Sequence, residues 1–556
     1  MVISGARVLA EMLDGYGVTH LFHVPAVLRR TMVELEAHTS IARLRPHGEK
    51  PAAYMADGYA RASGRPGICA AQVVGAHNLA AGLRDAYLAH SPVIAFTGGR
   101  DPHTKYRKAY QEVDDLPAFE TVTKMNVTVD AVERIPDLLR QAFRVATTGA
   151  PGPVHIQFAG NEGQIDAGEA DMEIYCEERF AAVPPFRPLS SDDDLSRTLD
   201  LLARAKRPVI VAGGGVRASG AGPALIRLAE SLGIPVATSL NGKDVIPGTH
   251  PLCVGVVGTY SRGAANRVVL EADLVFFVGT ETGGMTTHFW KVPPPGTRVI
   301  HLDIDPEALG RNYPAEVAIH SDASTALTRM AGLLGEPGDR HAEWVTAAAR
   351  HVDEWRLEYA PLLESDQVPI RPERLCAELT ELVPDDGIVV VDTGHAGMWM
   401  GGMFDLRAPT QSYLRSAGHL GWAFPASLGA KCAQPDRPVV CFTGDSGLWY
   451  HVAEIETAVR WGINSITVVN NNHSGNQSKR GFDRVYGGVQ TEKAREMWVF
   501  TDVDFASLAE HIGAIGIRVE KPADLAPAFD RALAAERPVL IDVVTDIDAL
   551  APLAVE

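Results

Sequence analysis

Short runs of β-branched and aromatic residues alternate with alanine-rich, helix-forming stretches along all 556 residues. That alternation points to parallel α/β architecture, because two parallel neighbouring strands need a long crossover, usually a helix, between them. The runs GICAAQVV, PVIAFTGG and PGPVHIQFA fall in a first block, and RPVIVAGGGV, ADLVFFVGT and TRVIHLDID in a second. GIVVVDTG, RPVVCFTGD, SITVVNNN and PVLIDVVTD make a third. Polar, proline-bearing stretches at 177–194 and 364–373 separate the blocks. The expectation is three doubly wound parallel-sheet domains, 1–178, 192–340 and 368–556, with ligands at the carboxyl ends of the strands.

Hydrophobic content of 46% and charged content of 22% suit chains that bury large cores. A formal net charge of −18 argues against general nucleic-acid binding and against anionic membranes. No apolar run reaches the ~18 residues of a membrane span, and the opening MVISGARVLAEMLDGYG reads as an amphipathic helix rather than a secretory signal. Six scattered cysteines lack metal-ligand spacing, which favours reduced thiols and a cytoplasmic protein.

The string Gly444-Asp445-Ser446-Gly447 directly follows the apolar run VVCFT, so it lies at a strand's carboxyl end. Small residues there let backbone N–H groups approach phosphate oxygens, and a following helix through HVAEIETAV would aim its N-terminus at the same charge. One helix and one strand later come Asn470-Asn471-Asn472. Asp445, the Asn472 side-chain carbonyl and the Ser474 backbone carbonyl are hard oxygen ligands suited to Mg²⁺ or Ca²⁺. Far upstream, Glu49 opens a helix in HGEKPAAYMADGYARASGRPG, with Pro51 in its first turn and Gly64 and Pro66 at its end. The helix dipole favours a carboxylate at that position, and a simple capping role reads the same way.

Together, Glu49 with Ala-Asp-Gly-Tyr-Ala-Arg (56–61), Gly-Asp-Ser-Gly and Asn472 resemble the thiamin diphosphate-dependent family of acetolactate synthases, oxalyl-CoA decarboxylases and 2-hydroxyacyl-CoA lyases. The likeness covers nearly the whole chain. Ser446 replaces the family's usual glycine, and Gly48 displaces its histidine to His47. The resemblance implies a pyrimidine domain, a central nucleotide-binding-like domain and a diphosphate domain. It implies that Glu49 hydrogen-bonds the cofactor's aminopyrimidine and drives it to the imino form. It aligns Leu420 with the wedge that bends the cofactor, and Gly418 with the carbonyl that accepts from its amino group. Thr393, Gly394 and His395 align with a second diphosphate loop, and Gly444, Asp445, Ser446, Gly447, Asn472, Ser474, Gly475 and Asn476 with the Mg²⁺ and diphosphate site. It also implies that Glu49 and Asp445 meet between subunits, in a homodimer at minimum and often a homotetramer.

For the substrate, Tyr110-Gln111 falls where acetolactate synthases carry Phe-Gln and oxalyl-CoA decarboxylases Tyr-Glu, so Gln111 is a candidate partner for a substrate carbonyl. Lys479, Arg480, Arg484, Lys493 and Arg495 form a basic cluster that could hold coenzyme A phosphates or remain solvated surface. Glu492 among them is a candidate base, if partly desolvated, or a helix-cap neighbour. Three departures stand against acetolactate synthase: Val73-Val74-Gly75-Ala76-His77-Asn78, Pro25-Ala26-Val27, and GTETGGMTTHFW without the central arginine. Asp303, ending the run VIHLD, could hold the ribose of a bound ADP, or the central domain could be scaffold alone. The expected activity is therefore a carbon–carbon lyase cleaving a 2-hydroxyacyl-CoA to formyl-CoA and a ketone or aldehyde. The alternatives are a 2-oxo acid decarboxylase or carboligase of acetolactate synthase type, and oxalyl-CoA decarboxylase.

Overall fold

A computed structural model describes residues 2–334 and 340–553. It contains three six-stranded sheets, every strand pair in them parallel. Across the first sheet the strands run Ala42–Leu44, His20–His23, Gly67–Ala71, Val93–Gly98, Val154–Phe158, Met125–Val129. Across the third they run Ser412–Arg415, Ile388–Val391, Val439–Gly444, Ile466–Asn471, Val539–Val544, Ile515–Val519. Numbered in chain order, both sheets read 2-1-3-4-6-5, so the two domains share one topology. The central sheet is wound differently. Its order is Cys253–Val256, Val236–Thr238, Pro208–Ala212, Leu274–Val278, Arg298–Asp303, Ala315–His320, which reads 3-2-1-4-5-6.

Each sheet thus has a point where strand order reverses, the place at which such sheets receive ligands at their carboxyl ends. In the third sheet that point lies between Ile388–Val391 and Val439–Gly444, the two strands that feed the Asp392–His395 and Gly444–Gly447 loops. One expectation needs correcting. The helix after Gly444 is not continuous through HVAEIETAV: it is a short helix, Asp445–Trp449, followed by Glu454–Trp461. Tyr450 and His451 donate back to the Gly447 and Leu448 carbonyls, a tighter three-residue repeat that breaks the run.

The first and third domains share one continuous apolar core. At its centre the helix Glu49–Ser63 packs on Ala423–Ala433, the element that precedes the third strand of its own domain just as Glu49–Ser63 does. Two glycines permit the approach. A Cβ on Gly58 would lie 2.0 Å from the Ala426 carbonyl oxygen, and one on Gly429 would lie 1.9 Å from that of Met55. Gly64, at φ +69°, ends the first helix in the left-handed conformation expected of it. No helix among the described residues is long and apolar enough to cross a membrane.

Candidate active site

Asp445 is the first residue of its helix and is almost fully buried. Its two carboxylate oxygens accept from the backbone N–H groups of Ser446 and Ser474, both at 2.8 Å. Burial pushes its pKa up to about 7, since no cationic side chain among the described residues pairs with it. A left-handed His473, φ +56°, turns the chain after Asn472 so that Ser474 faces Asp445. The Ser474 hydroxyl donates to the Asn472 side-chain oxygen at 2.8 Å. The structure therefore draws Asp445, Asn472 and Ser474 into one buried cluster. Beside it, the side-chain oxygen of buried Asn470 has no partner.

The opposite wall is organised by Asp392, which is fully buried with its pKa also raised to about 7 by desolvation. It accepts from the Thr393 and Gly421 N–H groups and the Thr443 hydroxyl, tying three loops together. Gly394 adopts φ +68°, and His395 opens the next helix with neither ring nitrogen hydrogen-bonded. Burial holds that imidazole down to about 4, so it is neutral at pH 7. Gly447 must lack a side chain, because a Cβ would sit 2.8 Å from an Asp392 carboxylate oxygen. Gly418, exposed at φ +153°, and half-buried Leu420 lie on the loop that Asp392 reaches through Gly421.

Glu49 belongs to a second grouping, at the carboxyl end of the first sheet. It stands in the first turn of its helix, accepts from the Asn78 side-chain amide at 3.2 Å, and lies against Gly75, where a Cβ would come within 2.4 Å of its carboxylate. Gln111, at φ +60°, accepts from the Gln72 amide at 2.7 Å, and Gln72 directly precedes the Val73–Gly75 turn that faces Glu49. Glu49 and Gln111 thus share one end of one sheet. Within a single chain, no hydrogen bond or ion pair among the described residues joins Glu49 to the Asp445 cluster.

Three expectations change. Glu492 is exposed, in a short helix that Thr491 caps by accepting from the Ala494 N–H, so the anticipated desolvation is absent. The Asn476 amide donates to the Ile547 and Ala549 carbonyls, leaving only an acceptor oxygen, and an acceptor repels phosphate. The basic cluster is largely engaged: Lys479 pairs with Asp483, Arg480 donates to the Ala551 carbonyl, and Arg495 packs over Trp498. No group of three or more His, Cys, Asp or Glu side chains forms a metal site among the described residues. The Asp445 cluster would instead supply one carboxylate and two neutral oxygens.

Asp303 stands apart, in a cavity of about 790 Å³ at the central sheet's reversal point, beside Gly214, Gly215 and Gly279. Burial raises its pKa to about 6. Sequence reasoning passed over Gln72 and took Asn78 only as part of a departing loop, not as a partner of Glu49. Gln72 directly follows an apolar strand, the same signal that singled out Asp445.

Comparison with known proteins agrees with this layout. Residues 3–118, 195–330 and 392–543 match, respectively, the N-terminal TPP binding domain, the central domain and the C-terminal TPP binding domain of the thiamine pyrophosphate enzymes. The chain is 33% identical to a probable acetolactate synthase large subunit of Methanocaldococcus jannaschii, over 98% of this chain and 92% of that protein. It is 28% identical to the acetolactate synthase isozyme 3 large subunit of Escherichia coli K12, over 98% and 95%. It is 30% identical to a glyoxylate carboligase of Escherichia coli O157:H7, over 96% and 91%.

Proposed function

This chain belongs to the thiamine pyrophosphate (thiamin diphosphate) enzyme family, and we propose that it acts there as a 2-oxo acid decarboxylase or carboligase of acetolactate synthase type. The observation that carries the reading is end-to-end likeness to acetolactate synthase large subunits across all three domains. Gln111, held by Gln72 on the Glu49 side, supports it as the donor for a substrate carbonyl. The 2-hydroxyacyl-CoA lyase reading has less behind it, because Glu492 is solvated and three of the five basic residues are already engaged.

The residues present fit the cofactor. Asp445 is a buried carboxylate with no counter-charge among the described residues, His395 has two unpartnered ring nitrogens, and Gly447 lets its loop close on Asp392. Asp445, Asn472 and the Ser474 carbonyl would hold Mg²⁺. Thr393, Gly394, His395, Gly444 and the Gly447 N–H would face the diphosphate, since the Ser446 N–H is given to Asp445 and the Gly475 N–H to the Trp498 carbonyl. Bound thiamin diphosphate supplies an electron sink for breaking the bond beside a carbonyl. Glu49 would hold a proton on the pyrimidine ring, and the Gly418 carbonyl and Leu420 would set the cofactor's bend. Gln111 would orient the substrate.

The site would be completed by a second copy, so that Glu49 of one chain meets the Asp445 cluster of another. Exposed apolar side chains flank both halves: Val74 and Tyr110 near Glu49, and Val485, Val489 and Met497 beyond Asn476. The cavity at Asp303 would take a nucleoside diphosphate such as ADP. Incubation with pyruvate, thiamin diphosphate and Mg²⁺ tests the activity: carbon dioxide release with a condensed acyl product is expected. Formyl-CoA from 2-hydroxyacyl-CoA esters, with pyruvate untouched, would replace this reading with the lyase.

A further inference from the structure

Asp85 has no role in the site as described so far, yet its carboxylate is the hub around which the Gly418 loop is wound. It lies in the helix Ala76–Leu88 of the first domain and is fully buried. One of its oxygens accepts from the Ala417 N–H at 2.9 Å and from Arg61 at 2.8 Å. The other lies 2.9 Å from the Ser416 hydroxyl and accepts from the His419 N–H at 3.2 Å. The Ser416 hydroxyl in turn accepts from the Gly418 N–H at 3.1 Å, and the His419 ring meets the Tyr54 hydroxyl at 2.7 Å.

The charge balance explains why this contact matters. Arg61 is also gripped by Asp57, at 2.8 and 2.6 Å, so one guanidinium serves two buried carboxylates. The buried Arg415 guanidinium lies near enough to feel the Asp85 charge, but apart from Arg61 the hydrogen bonds that reach Asp85 come from neutral donors, those of Ser416, Ala417 and His419. Hydrogen bonds to a buried charge are the strong ones, so the loop's shape is tied to the carboxylate rather than to its own sequence. The chain passes Gly418 at φ +153°, a conformation open to glycine, whose freedom leaves the loop's shape to the contacts around it.

We propose that Asp85 is a positioning residue: it fixes the segment 416–420 in the form that presents the Gly418 carbonyl and the Leu420 side chain to thiamin diphosphate. The inference rests on the cofactor reading above, but its first test does not. Backbone amide hydrogen exchange, read by mass spectrometry on the cofactor-free chain, reports the loop directly. In Asp85→Asn, which keeps volume but turns an amide N–H₂ toward the loop's donors, exchange across 416–422 should rise about tenfold or more, while 439–447 stays as in the wild type. Ser416→Ala, which removes the anchor from the loop's side, should do the same, and decides alone if Asp85→Asn does not fold. Asp166→Asn serves as the control, since that buried carboxylate binds Thr31 and no part of the loop. It should leave exchange at 416–422 unchanged.

Calorimetry with thiamin diphosphate and Mg²⁺ then gives the functional arm: the dissociation constant should rise about tenfold or more in both loop variants and stay put in the control. Exchange at 416–422 within about twofold of wild type in a folded variant overturns the anchoring. Raised exchange with unchanged affinity overturns the positioning role. A wild-type chain that takes up no thiamin diphosphate overturns the cofactor reading and the positioning role with it, while exchange still decides whether Asp85 anchors the loop.

Discussion

Glu49 and Asp392 are both acidic, and their surroundings give them different tasks. Glu49 is half-exposed at a helix N-terminus, with Asn78 as its partner, which suits a carboxyl that must meet a ligand. Glu49→Gln should lower turnover by about 10²–10⁴-fold while leaving cofactor affinity nearly intact, measured by steady-state rates beside calorimetry. Asp392 is sealed in, and its raised pKa has a consequence for stability. Between the unfolded value of 3.8 and about 7, the folded chain binds more protons than the unfolded one. Stability from this group is therefore greatest at low pH within that window and falls as pH rises through it, by up to about 1.4 kcal/mol per unit. Urea denaturation of the cofactor-free protein at about pH 5.5 and about pH 8 should reveal the difference, and Asp392→Asn should reduce it, leaving the share that comes from Asp445 and Asp303. How legible such residues are in the sequence depends on their neighbours. Asp445 and Asn472 announce themselves because each ends an apolar strand. Asp85 is one acid in an alanine-rich helix, and Glu492 could be a base only if partly desolvated, whereas its short helix faces solvent; burial is set by packing that no local pattern encodes.

At the scale of elements, the helix pair Glu49–Ser63 and Ala423–Ala433 joins the domain that bears Glu49 to the one that bears Asp445. Its closeness depends on Gly58 and Gly429, where a methyl group would overlap a carbonyl oxygen. Gly429→Ala should destabilise the chain by about 1–3 kcal/mol or more, read as a lowered midpoint in thermal melts. The central strands of each sheet were legible as apolar runs because both of their faces are buried. Short strands such as Ala42–Leu44, Val236–Thr238 and Ser412–Arg415 were not, since three or four residues carry too little periodicity. The break after Trp449 was also invisible: HVAEIETAV has no proline or glycine to announce it.

For the whole molecule, two domains of one topology and a third of another set three strand-order reversals, and the family match covers all three domains. The Glu49 group and the Asp445 group make no direct bond within one chain, and both are rimmed by exposed apolar side chains. If two copies complete each other's sites, then Glu49→Ala and Asp445→Ala, each inactive alone, should recover about a quarter of wild-type activity when their subunits are exchanged in equal amounts. Recovery within the noise of either parent would place both groups in one subunit's site.

The most direct test of the account is titration of the purified chain with thiamin diphosphate at saturating Mg²⁺, by calorimetry, alongside Asp445→Ala. The account predicts saturable uptake of one cofactor per chain that is lost in the variant and when Mg²⁺ is chelated. Absence of binding by the wild type, or binding that survives the substitution unchanged, would contradict it.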